Sequence, residues 1–295
     1  MSEAVVPRTG ALAASGERVA KKRRRRPSHL VVHVILIAGA LLMVVPFFWE
    51  ISTSLKTYAE SSSVPPTALP ATPIWSNFSD VFGTLPFAAQ FTNTVVMTVL
   101  RTVSQVLFCA AAGYAFARLQ FPGRNVIFVL FLSVLMIPSQ LFLLSQFEIM
   151  QHLGLLNTVI ALALPGMFSA FGTFLMRQFF LTLPEELDDA ARLDGCNPFQ
   201  VWWRVMLPLA KNGMLALGIL TAIWSWNDLL WPLVVNNDPE QMTLSAGLAT
   251  LQGQFLTDYP VLMAGSFLAS IPMIVLFVVF QRNMLEGIAS GAVKG

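Results

Sequence analysis

The feature that most limits this chain is a series of six apolar runs, at residues 30–49, 91–119, 126–147, 158–181, 214–235 and 259–280. Each is close to the ~20 residues that cross the hydrocarbon core of a bilayer. The run at 30–49 contains no Lys, Arg, Asp or Glu. With 55% hydrophobic and only 12% charged residues, the chain is too apolar for a soluble domain of its length. In lipid, a helix satisfies its backbone polar groups within one segment. The expected fold class is therefore all-α, a polytopic membrane protein with six transmembrane helices.

The intervals between the runs define the expected organisation. Residues 1–28 read as a disordered basic tail, 29–51 as a first transmembrane helix, and 52–90 as an extracytoplasmic loop rich in Ser, Pro and Thr. Residues 91–283 hold five further helices, with a polar interval at 184–212, and 284–295 form a second tail. The tail carries KKRRRR at 21–26, directly before an apolar run, which marks a cytoplasmic topology anchor rather than a nucleic-acid site. The first run exceeds the ~7–15 apolar residues of a signal-peptide core and reads as an uncleaved span. Arg118, Arg124, Arg192, Arg204, Lys211, Arg282 and Lys294 fall on the side of the basic tail, and Lys56 stands almost alone on the other. That asymmetry predicts a multi-pass membrane protein with both termini in the cytoplasm.

Within the runs, Pro138 and Pro272 predict kinks and Pro165-Gly166 an interruption. Small residues at 110–113, with Ala115 and Ala117, offer a face for close helix packing. Arg101 lies inside the second run, where it either faces a cavity or partner or marks a late start of the span. Cys109 and Cys196 form no disulfide framework, and His29, His33 and His152 are too scattered for a metal site.

The long polar interval in the second half reads LPEELDDAARLDGCNPFQVWWRVMLPLAKN from residue 183 to 212. Pro184 suits a first helical position, and Glu185 and Glu186 place negative charge at the positive helix end. Leu187, Ala190 and Ala191 share a face, and Asp188 and Arg192 have the spacing of a helical ion pair. Gly195 suits the left-handed position that ends a helix. Asn197 then caps a second helix with Pro198 at its start. Phe199, Trp202, Val205 and Met206 form its apolar stripe, and Pro208 disrupts or kinks it. Two short helices joined by a glycine elbow are expected. By spacing alone this hairpin is equally well an ordinary amphipathic connection.

The pattern Asp189-Ala190-Ala191, Gly195, Val205-Met206-Leu207-Pro208 resembles the E-A-A-x3-G-x9-I-x-L-P loop of binding-protein-dependent ABC importer permeases. Asp189 stands where that pattern has glutamate, Cys196 where alanine is common, and Val205 where it has isoleucine. The AAGYAFAR run at 111–118, Trp226-Asn227-Asp228 with Trp231-Pro232-Leu233, and the terminal GAVKG are similar to signatures of the carbohydrate branch. The resemblance covers residues 30–295 and implies the type I ABC importer permease fold of maltose-type transporters. It implies that 184–212 is a cytoplasmic coupling loop gripped through Glu185, Glu186, Asp189, Ala190, Ala191, Asp194, Gly195, Leu207 and Pro208. It also implies a homologous second permease subunit, two copies of a cytoplasmic ATPase that binds ATP and Mg, and an extracytoplasmic solute-binding protein. The expected cargo is a sugar or oligosaccharide, with glycerol phosphate or a polyol as the alternative. Trp224, Trp226 and Trp231 are candidates to stack on sugar faces, and Asn227 and Asp228 to bond hydroxyls; a structural role in a gate or in packing stands beside that reading.

Other function classes find less support. No G-x-x-x-x-G-K-[ST] run is present, so this chain supplies no phosphate-cradling loop. It is read as a transport subunit, not an enzyme, with no catalytic residues and no cofactor of its own. An ion-coupled transporter needs ionisable groups within the membrane, and only Arg101 and Asp228 qualify. An intramembrane enzyme would need a His/Asp/Glu or Cys/His constellation, and HExxH is absent.

Overall fold

The computed structural model describes residues 29–253 and 257–292, with side chains from Leu30 to Gln281. The basic run at 21–26, the rest of the first tail and the last three residues lie outside the described residues. The chain divides into two units, 1–46 and 47–295. The described part of the first unit belongs to helix α1 (His29–Ser54). Every side chain from Leu30 to Pro46 is exposed. A helix that is apolar all round is stable in hydrocarbon rather than in water.

In the second unit α1 ends and a loop with two short helices follows, α2 (Tyr58–Ser61) and α3 (Ser76–Thr84). Then comes α4 (Phe87–Arg118), 32 residues long, the axis of the packed unit. Its buried positions include Gln90, Thr94, Met97, Arg101, Gln105, Cys109, Gly113 and Ala117, a stripe that recurs every three or four residues. Against that stripe lie α8 (Ala170–Leu181) and α12 (Lys211–Trp226). Small residues set the distance, as their composition predicts. A Cβ on Gly113 would stand 2.7 Å from Met176 Cβ and 2.8 Å from the Arg177 backbone nitrogen, and one on Gly172 2.8 Å from Cys109 Sγ.

Among the described residues, three helices are long and apolar enough to cross a membrane, α1, α4 and α15 (Tyr259–Ala292), and three bent pairs bring the possible total to six. The expected third span does not run through. α5 (Arg124–Ser133) tightens into a 3-10 turn to Met136, the chain breaks at Pro138, and a second 3-10 turn leads into α6 (Leu143–His152). The two arms meet at 95°, a break rather than a proline kink. The fourth is α7 (Val159–Ala163), a 3-10 turn over Leu164–Gly166 and then α8, bent by 47° at the expected interruption. Thr158 and Ser169 cap its two halves by accepting from the Ala161 and Gly172 N–H groups.

The polar interval yields α9 (Glu186–Leu193), α10 (Pro198–Val201), a π-type turn over Trp202–Met206 and α11 (Leu207–Leu209). The expected fifth run, 214–235, is likewise divided. α12 stops at Trp226, and α13 (Leu230–Val235) resumes beyond the break. α14 (Leu244–Thr250) packs near the start of α15. Residues 284–292, expected as tail, continue α15.

Candidate functional site

The hairpin is built as its local chemistry dictates. α9 begins at Glu186, so Pro184 precedes the helix instead of opening it. At its far end Gly195 has φ +84°, its N–H donates to Arg192 O at 3.0 Å, and Cys196 N–H donates to Ala191 O at 3.0 Å. These two bonds are the paired ones of a Schellman stop, and the positive φ is what glycine admits without strain. Asn197 Oδ1 accepts from Gln200 N–H at 2.9 Å while Gln200 Oε1 accepts from Asn197 N–H at 2.9 Å, a reciprocal capping box. Past the π-type turn, Pro208 withholds a helical N–H, and α12 leaves at 77° to the Pro198–Leu209 segment.

The expected pairing of Asp188 with Arg192 is not formed. Asp188 is 4% exposed and turns inward. Tyr114 Oη donates to its Oδ1 at 3.2 Å, and Arg118 Nε lies 3.4 Å from its Oδ2. Arg118 also donates through Nη2 to Phe180 O at 2.8 Å, at the end of α8, and to Leu183 O just beyond it. A buried opposite charge outweighs a solvated i,i+4 pair worth roughly 0.2–0.5 kcal/mol. One side chain near the end of α4 thus ties together α8 and α9.

The two alanines separate. Ala191 is buried in one cluster with Tyr114, Phe180, Val201, Trp202 and Met206, whereas Ala190 is exposed. The outward surface carries Glu185, Glu186, Asp189, Ala190, Asp194, Gly195 and Pro208, and Leu207 is half-buried. Leu193, 89% exposed, stands among the carboxylates, with Phe199 and Trp203 beyond the elbow. Of the expected apolar stripe, Trp202 and Met206 are buried and Phe199 is exposed.

A second polar centre lies midway along α4. Arg101 is 7% exposed, so it is a buried residue and not a boundary one. Its Nε donates to Leu162 O at 3.0 Å, and its Nη1 pairs with Asp228 Oδ2 at 2.7 Å. The two breaks explain these bonds. Pro165 has no N–H, so Ala161 O loses its helical donor, and Trp231 Nε1 donates to it at 3.0 Å. Where α7 tightens into the 3-10 turn, Leu162 O takes the Arg101 guanidinium instead. Asp228 sits in the break after α12. Arg101 therefore clips the two broken helices together across α4. Gly166 gives it room: a Cβ there would stand 2.7 Å from Arg101 Cδ and Nε.

A cleft of about 280 Å³ opens beside this pair, lined by Arg101, Gln105, Gly166, Thr221, Trp224, Ser225 and Asp228. Two of the sequence-derived substrate candidates, Trp224 and Asp228, line it. Trp226 packs elsewhere, edge-on to Phe91 at 5.9 Å with Nε1 donating to Ala269 O, and Trp231 is buried. Asn227 is exposed and bonds back to Ile223 O at 2.8 Å. Sequence reasoning missed Tyr114, Arg118 and Asp188 as a unit, and Gln105 and Thr221 as lining. The available signal was polar residues at three- or four-residue spacing inside an apolar run, Thr94, Thr98, Arg101 and Gln105 among them.

The comparisons with known proteins agree with this architecture. Residues 74–284 match the family described as binding-protein-dependent transport system inner membrane component. The chain is 35% identical over 278 residues to the arabinooligosaccharides transport system permease protein AraQ of Halalkalibacterium halodurans, covering 92% of this chain and 100% of that protein. It is 32% identical over 272 residues to the sn-glycerol-3-phosphate transport system permease protein UgpE of Yersinia pestis, covering 90% and 97%. Among solved structures, a bacterial ABC transporter involved in the import of the acidic polysaccharide alginate has a chain that superposes with a TM-score of 0.75 at 25% identity, over 86% of this chain and 95% of that one. The chain belongs to the binding-protein-dependent inner membrane components and is a permease subunit of a type I ABC importer.

Proposed function

We propose that this subunit passes an uncharged sugar or oligosaccharide into the cytoplasm by alternating access. The observation that carries the choice of cargo is the Arg101–Asp228 pair at 2.7 Å. The guanidinium beside the cleft is neutralised, and further donors are committed to Leu162 O. What remains is an indole face at Trp224 with Ser225 and the Gln105–Thr221 pair, itself joined by a 2.9 Å bond from Gln105 Nε2 to Thr221 Oγ1, and this uncharged lining suits hydroxyls better than a phosphate. A relative named for arabinooligosaccharides supports this reading, and one named for glycerol-3-phosphate supports the competing one.

In this reading the chain pairs with a homologous permease, and two copies of a cytoplasmic ATPase hold ATP and Mg. An extracytoplasmic binding protein delivers the solute. Both termini and the hairpin at 184–212 face the cytoplasm. Closure of the ATPases draws the hairpins together, and Arg118 carries that motion into α4 and α8. The solute-loaded binding protein and ATP each favour one state over the other by a differential free energy. Uptake by proteoliposomes of the full assembly with its binding protein tests the reading. ATP-dependent uptake of an arabinooligosaccharide without glycerol-3-phosphate is expected; uptake of glycerol-3-phosphate alone would overturn the choice of cargo.

A further inference from the structure

Far from the hairpin, where α1 ends and α15 begins, Trp49, Thr53, Lys56, Glu60, Tyr259 and Met263 line a separate cleft of about 280 Å³. It lies towards the start of α4. Asn77 of α3 donates to Ser54 O and Lys56 O at 2.8 and 2.9 Å, and α3 shares a core cluster with Phe87, the first residue of α4. Arg118 is at the other end of that helix, about 45 Å away at ~1.5 Å per residue.

Lys56 is 2% exposed. Its ammonium donates to Thr67 O at 2.5 Å and stands 4.7 Å from the centroid of the Trp49 ring. Among the described residues it pairs with no carboxylate. Glu60 lines the same cleft, but its oxygens accept from Thr57 N–H and Ala71 N–H at 3.0 Å each. An ammonium has three donors, so two remain uncommitted. Thr53 is 6% exposed, and its Oγ1 has no hydrogen-bond partner. Glu60 attracts the ammonium through space without touching it, so two ammonium donors and the buried Thr53 hydroxyl are left for an acceptor oxygen.

We infer that this cleft binds the headgroup phosphate of an anionic phospholipid. Lysine binds phosphate as a point charge. The depth fits as well: Trp49 and Tyr259, 42% and 47% exposed at helix ends, are the residue types that sit at headgroup level. The solute cleft is distinct, since Arg101 is about 20 Å further along α4. This inference does not depend on the cargo.

Native mass spectrometry of the full assembly, exchanged into mixtures of phosphatidylglycerol and phosphatidylcholine, tests it. The wild-type complex is expected to retain phosphatidylglycerol preferentially. Lys56→Gln is expected to lower the lipid-bound fraction roughly fivefold, the worth of one lysine near a lipid surface, and Thr53→Val to lower it less. If Lys56→Gln does not assemble, the wild-type preference and Thr53→Val decide. Equal retention of the two lipids, no change in Thr53→Val, or a bound mass of inorganic phosphate without lipid would each overturn the assignment.

Discussion

Arg118 Nε and Asp188 Oδ2 face each other at 3.4 Å, both buried and neither satisfied by a hydrogen bond among the described residues. The contact joins the last residue of α4 to the hairpin helix α9. Removing one partner of a buried ion pair leaves the other uncompensated, at a cost of about 3–5 kcal/mol. Asp188→Ala is therefore expected to lower the thermal stability of the assembled transporter strongly. Tyr114→Phe removes only a hydroxyl and is expected to cost about 1 kcal/mol. Thermal unfolding in detergent checks the order, and equal effects would contradict it.

The two alanines of the hairpin predict different phenotypes. Ala191 is buried, so Ala191→Glu places a charge in an apolar cluster and is expected to abolish stable insertion. Ala190 is exposed, so Ala190→Glu is expected to leave folding intact while cutting transport and stimulated ATP hydrolysis. Expression level and ATPase stimulation, measured together, separate the two; wild-type stimulation in Ala190→Glu would count against a docking role for that face.

Gly195 permits a substitution series. With φ +84° and a hydrogen-bonded N–H, the position accepts alanine at a cost of about 1–2 kcal/mol and rejects proline outright. Transport should fall in the order Gly, Ala, Pro while membrane insertion persists. Full uptake by Gly195→Pro would show that the elbow is dispensable.

Gly166→Ala is expected to dislodge Arg101, since the added methyl would stand 2.7 Å from its Cδ and Nε. Overpacking of this kind costs about 1–3 kcal/mol. The Leu162 and Asp228 contacts should weaken together, which faster proteolysis near the breaks at 164–166 and 227–229 would report. Unchanged proteolysis would mean that Arg101 does not hold the breaks.

Glu60 predicts a local pH response. Hydrogen bonds from Thr57 N–H, then Ala71 N–H, hold its carboxyl below the usual carboxylate range. A depressed pKa contributes stability that is present above the unfolded value and lost as pH falls through the folded one. The protection of the Ala71 amide, its intrinsic exchange rate over the observed rate at the same pH, should therefore fall on acidification below the ordinary glutamate range, and Glu60→Gln should show the reduced protection at neutral pH. Protection that does not change with pH would contradict the clasp.

The parts legible in the sequence were those decided by neighbours along the chain. The cap at Asn197 and the stop at Gly195 rest on contacts within five residues, and small residues on one face of α4 announced close packing. Misreadings arose where distant residues decide. Asp188 and Arg192 have the spacing of a pair, but Arg118 and Tyr114 arrive from another helix. Pro138 is compatible with a kink or a full break, and only the packing of the arms distinguishes them. Hydropathy carried the fifth run through residue 235, because a single aspartate hardly lowers an apolar average, although Asp228 marks where the helix ends.

The claim on which the rest depends is that the exposed face of the hairpin seats in an ATPase. Leu193, 89% exposed among carboxylates, is its most prominent apolar group. A photo-cross-linking residue at position 193, activated in the intact assembly, tests this directly. The expected product joins this chain to the ATP-binding subunit, at a yield that changes when ATP and Mg are added. A product with the extracytoplasmic binding protein, or none with the ATPase in an active assembly, would contradict the claim.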